Sequence, residues 1–103
     1  MTQIERIVRM EQYLDEASAS IAELTAALNQ YVAVQDKIHA LIGYYDGGTW
    51  QEDYEADEAG RLPDGLKRGV LSQDALYDLL SENRELLLRM SEITKEENVS
   101  YDC

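Results

Sequence analysis

IERIVRMEQYLDEASASIAELTAALNQYVAVQDKIHALI, residues 4–42, decides the fold. Within it Ile7, Met10, Leu14, Ala17, Ile21, Leu24, Leu28, Tyr31, Ile38 and Ile42 recur at alternating spacings of three and four, with Gln35 as the polar break. That period belongs to a helix carrying one apolar stripe, and such a stripe calls for cover by other helices. The stretch contains neither Gly nor Pro, so a single helix is predicted from residue 2 or 3 to about residue 42. Gly43 supplies a left-handed stop. About forty residues at 1.5 Å each make a rod of roughly 60 Å.

The apolar face widens along the rod. Glu11, Ser18 and Thr25 flank the stripe in the first half; Val32, Val34, His39 and Leu41 flank it in the second. The first half is therefore expected to contact one helix and the second half two elements. Ala17, Ala22, Ala26 and Ala27 cluster at the middle, where small side chains permit close helix approach.

Downstream, Tyr44-Tyr45-Asp46-Gly47-Gly48 reads as a turn, since paired glycines supply unusual backbone angles at little cost. Thr49-Trp50-Gln51-Glu52 has the spacing of a capping box. A short helix over residues 50–59 should follow, ended by Gly60. Residues 61–71 read as an irregular connector, with turns at Asp64-Gly65 and Gly69 and with Pro63 holding Leu62 extended. Leu62, Leu66, Val70 and Leu71 are too many apolar residues for a free linker, so the connector should pack down. Ser72 is a suitable N-cap for a last helix over residues 73–97. Its stripe is Leu76, Leu79, Leu80, Leu86, Leu87, Met90 and Ile93, broken by Asn83. Residues 98–103 should fray.

The expected fold is all-α: a long N-terminal helix packed antiparallel to a shorter C-terminal helix, with a short middle helix and the connector, as a helical hairpin or three-helix bundle. Residues 1–97 would form one domain. Two registers are open. Pairing Gln35 with Asn83 places residue 76 opposite residue 42 and leaves the first twenty residues to a second copy. Shifting the last helix toward the N-terminus lets Trp50, Leu62 and Leu66 cover residues 32–42, which suits the widened face better and turns Gln35 toward the middle segment.

Composition narrows the function classes. The net charge of −12 repels phosphate backbones and anionic bilayers, so neither direct nucleic-acid binding nor membrane binding is expected. There is one cysteine, Cys103, so no intrachain disulfide can form and a zinc site lacks soft ligands. The charged start, MTQIERIVRMEQ, is unlike a signal peptide, and a reducing cytoplasm suits the chain.

No residues assemble into a catalytic or cofactor motif. Glu52, Asp53, Glu55, Asp57 and Glu58 are spaced a little like a calcium loop, but the glycine falls at the eighth position and the twelfth is Asp64. The simpler reading is an acidic helix whose carboxylates meet Arg61, Lys67 and Arg68. His39 is the one histidine and lacks a nominated acid–base partner. Cys103 sits beside Asp102, which opposes thiolate formation. Tyr44, Tyr45, Trp50, Tyr54 and Tyr77 can form an aromatic cluster, either packed at the bundle end or offered as a binding patch.

From Tyr44-Tyr45 and Trp50 through DYEADEAGRLPDGLKRGVLSQDALYDLL at residues 53–80, the chain is similar to a small bacterial family, domain of unknown function 4298. Arg6, Met10, Glu11, Leu14 and Asp15 extend the resemblance. It implies a short, acidic, helical, stand-alone bacterial protein of the cytosol and carries over no activity or catalytic residue.

The expectation is a non-enzymatic protein, without cofactor or metal, that engages another protein or pairs with itself through the long helix. Its candidate interaction surface is Tyr44, Tyr45, Trp50, Asp53, Tyr54, Asp57, Arg61, Lys67 and Arg68. The competing expectation is an acidic mimic of nucleic acid, seated in the basic groove of a nucleic-acid-binding protein. A third, a metal-dependent regulator or enzyme, would centre on Asp53, Glu55, Asp57 and His39.

Overall fold

The computed structural model describes residues 2–96, which fall into two compact units, residues 2–37 and residues 38–96. The described residues are all-α, with no strand: α1 Gln3–Ala33, α2 Gln35–Asp46, α3 Thr49–Glu58, a 3-10 turn Gly69–Leu71, and α4 Ala75–Glu96. A long N-terminal helix, a short middle helix, a connector and a C-terminal helix thus follow the sequence reading. The tail 98–103, with Cys103, lies outside the described residues.

In the first unit, α1 begins where expected. Thr2 is its N-cap: its hydroxyl accepts the Glu5 N–H at 3.1 Å and donates to the Glu5 carboxylate at 3.1 Å. This satisfies an N–H that the helix itself leaves unpaired. The single helix to residue 42 is corrected. The chain leaves helical geometry at Val34, with φ −97° and ψ 4°. The Val34 N–H is shared between the Gln30 and Tyr31 carbonyls, each at 3.2 Å, and the Lys37 N–H reaches back only three residues to Val34. Such i to i+3 closures tighten the backbone. Gln35 contributes directly, because its side-chain amide donates to the Tyr31 carbonyl at 3.2 Å. The β-branched Val32 and Val34 add poor helix formers at the same point. The residue read as a break in apolar pattern therefore marks a break in the helix, and its amide turns back on its own chain.

The apolar stripe of α1 is not buried. Ile7, Met10, Leu14, Ile21, Leu24 and Leu28 are all exposed, Ile21 and Leu24 by 66% and 65%, and α1 contains no buried residue.

In the second unit, Gly43 does not stop the helix. α2 runs through it to Asp46, and Tyr44 and Tyr45 are helical rather than part of a turn. The stop lies at the next two glycines. The Gly47 N–H closes onto the Gly43 carbonyl at 2.9 Å, and Gly48 takes φ 89°. Gly48 is then the N-cap of α3, so Thr49 lies inside the helix and the expected capping box does not form. Gly60 does end α3. At φ 70° it donates to the Asp57 carbonyl, while the Arg61 N–H reaches the Ala56 carbonyl, both at 3.0 Å. Those two bonds make a Schellman cap.

The connector turns at Pro63–Leu66, where the Leu66 N–H meets the Pro63 carbonyl at 3.2 Å. It packs down through Leu71 and Leu62, whereas Leu66 and Val70 stay exposed. The Ser72 hydroxyl accepts the Ala75 N–H at 3.3 Å, and α4 starts two residues later than predicted. The core consists of Trp50, Leu71 and Leu76, with Leu41, Tyr44, Tyr45, Tyr54, Leu62 and Leu80 packed around them. Of the α4 stripe, Leu76 is buried and Leu80 half-buried, while Leu79, Leu86, Leu87 and Ile93 are exposed.

Candidate interaction site

Trp50 organises the second unit. Placed in the first turn of α3 by the Gly47-Gly48 stop, it is only 8% exposed. Its ring stacks on Tyr54, one helical turn along, with centroids 5.1 Å apart and planes 19° from parallel. Tyr45 from α2 tilts against the same ring at 5.2 Å and 56°. The indole N–H donates to the Val70 carbonyl at 2.8 Å, so one side chain both fills the core and pins the connector.

Two polar contacts surround it. The Tyr44 hydroxyl donates to the Asp53 carboxylate at 2.6 Å, a short charge-assisted bond that ties α2 to α3. Burial, then that hydrogen bond and the adjacent negative charge, push the Tyr44 hydroxyl up to about 12. Arg68 meets Asp57 at 2.7 Å, both half-buried. Asp57 and Glu58 lie in the last turn of α3, which has no basic residue and where the helix dipole is negative. Arg68 brings a cation to that end from the connector.

Seven of the nine candidate surface residues are therefore buried or half-buried: Trp50, Tyr44, Tyr45, Tyr54, Asp53, Asp57 and Arg68. They hold helices and connector together. Arg61 and Lys67 are exposed, as are Tyr77 and His39. Among the described residues, no group of three or more His, Cys, Asp or Glu is placed to hold a metal ion. The carboxylates of the acidic run are split between the first turn of α3, its body and its last turn.

Two apolar surfaces remain open. One is a groove of about 290 Å³ within the second unit, whose lining includes Ile42, Tyr45, Leu80 and Leu87 together with Asp46 and Arg84. The sequence signal for it is the spacing of Tyr77, Leu80, Arg84 and Leu87, which puts all four on one side of α4. The other is the α1 stripe, extended at its N-terminal end by exposed Ile4 and Val8, four residues apart and outside the regular pattern. No helix among the described residues is long and apolar enough to cross a membrane.

Compared with curated proteins and with solved structures, the chain has no match in either set. The family described as Domain of unknown function (DUF4298) matches residues 7–93, most of both units, and the chain belongs to that family.

Proposed function

We propose that this protein is a non-enzymatic helical interaction module whose contact surface is the apolar stripe of α1. The observation that carries the reading is the exposure of Ile7, Met10, Leu14, Ile21, Leu24 and Leu28 along one face of a helix of 31 residues. A contiguous apolar surface of this kind, rimmed by polar side chains, marks a protein-binding face. An isolated helix gains little stability in water without tertiary cover, which adds a thermodynamic reason for a partner. Within the second unit the connector is fixed by Trp50 and by the Asp57–Arg68 pair.

Photo-crosslinking in the cells that express the protein tests this. A photoreactive amino acid at Leu14 is expected to give covalent adducts, and the same group at Glu16, on the opposite face, is expected to give none. Equal labelling from both positions, or no adduct from Leu14, overturns the reading.

A further inference from the structure

Building on that reading, we propose that the occupant of the α1 stripe is a second copy of α1, laid parallel and in register as a two-stranded coiled coil over residues 7–31. The chain carries −12, so two copies repel unless their contact faces are neutral. Ile7, Leu14, Ile21 and Leu28 occupy one seam position of the seven-residue repeat, and Met10, Ala17, Leu24 and Tyr31 the other. The positions flanking the seam are Arg6, Tyr13, Ser20 and Ala27 on one side and Glu11, Ser18, Thr25 and Val32 on the other. The remaining acids of the helix, Glu5, Asp15, Glu16 and Glu23, all fall on its outer face. The net charge of the chain is thus kept away from the contact.

The two charged flanking residues set the orientation. In a parallel, in-register pair, a residue on one flank lies against the residue five positions later on the other helix. Arg6 of each copy then meets Glu11 of the other, twice by symmetry, and every remaining flanking pair is uncharged. Turning one helix around, with the seam fully overlapped, sets Arg6 opposite Val34 and Glu11 opposite Thr25, and both ion pairs disappear. The Thr25 hydroxyl already donates to the Ile21 carbonyl at 2.8 Å, so it brings no unsatisfied donor to the flank of the seam. The seam covers between three and four repeats, enough to sustain a coiled coil. It ends where α1 itself ends, just before Val34.

The test uses the purified 103-residue chain with Cys103→Ser, so that each engineered thiol stands alone. Ile7→Cys and Tyr31→Cys lie near opposite ends of the seam, and after mild oxidation each alone is expected to give a disulfide-linked dimer. Cross-linking only when the two variants are mixed means an antiparallel pair and overturns the proposal. A single-chain mass at every concentration also overturns it; adducts to a different protein from Leu14 in cells would then leave the interaction-module reading standing. Charge reversal gives an independent measurement. Glu11→Arg should weaken the dimer roughly fivefold, as two attractions become repulsions, and adding Arg6→Glu should restore it. A double variant no tighter than Glu11→Arg overturns the assigned register.

Discussion

A methyl group added at Gly47 would lie 2.7 Å from the Gly43 carbonyl oxygen, closer than side-chain carbons come to backbone oxygen. Gly47→Ala must therefore shift the α2–α3 junction, and we expect a loss of about 1–3 kcal/mol in urea titrations. Gly65→Ala is the control, since a methyl there meets nothing within 4 Å; it should be neutral or gain up to about 1 kcal/mol. Trp50→Phe removes the donor to the Val70 carbonyl while keeping most of the ring. It should cost about 1–3 kcal/mol by loss of helical circular dichroism. Tyr44 gives a pH prediction. The folded chain holds its hydroxyl proton up to about 12, where an unfolded tyrosine releases it near its ordinary value of about 10. The stabilisation is complete below about pH 10 and fades as pH rises through about 12. Tyr44→Phe should flatten this part of the stability profile relative to the unmodified chain, and parallel profiles would refute it. At this scale the sequence was partly legible: Gly60 reads as a helix end and behaves as one. The stop between α2 and α3 is set by which of three nearby glycines closes onto which carbonyl, and spacing alone does not reveal that.

Thr and Glu three residues apart occur at Thr2–Glu5 and at Thr49–Glu52, and only the first pair caps a helix. The difference lies one residue upstream. Gly48 at φ 89° takes the N-cap of α3 itself and draws Thr49 into the first turn. Thr2→Ala should cost about 1 kcal/mol of α1 stability, seen as faster amide exchange over its first turn. Thr49→Ala should change α3 by no more than a few tenths of a kcal/mol. Element type is readable from periodicity, because the three-and-four spacing persists through both long helices; element number is not, since the one helix expected to residue 42 is α1 and α2. The break at Val34 was readable only as a polar residue in the stripe. That Gln35 would turn its amide onto Tyr31 rather than toward another helix depends on local competition for one carbonyl. The aromatic cluster was foreseen as core or surface. Trp50 is core, with Tyr44, Tyr45 and Tyr54 packed against it and Tyr77 exposed, because α3 starts early enough to set Trp50 one turn from Tyr54 and within reach of the Val70 carbonyl.

At the scale of the molecule, the buried core among the described residues, Trp50, Leu71 and Leu76, belongs to the second unit, and the first unit, taken by itself, has an open apolar face. Sequence periodicity identifies that face but cannot say which chain covers it. If a second copy does, mass action requires the thermal midpoint of α1 to rise with protein concentration. The second unit, whose core is drawn from its own residues, should melt at a concentration-independent midpoint. The placement of the one tryptophan makes the two separable by optical means. Trp50 lies in the second unit, so its emission maximum follows that unit alone, whereas far-ultraviolet ellipticity reports the helices of both units, the 31 residues of α1 included. One dilution series read in both channels therefore assigns each unfolding step to its own segment without an added label.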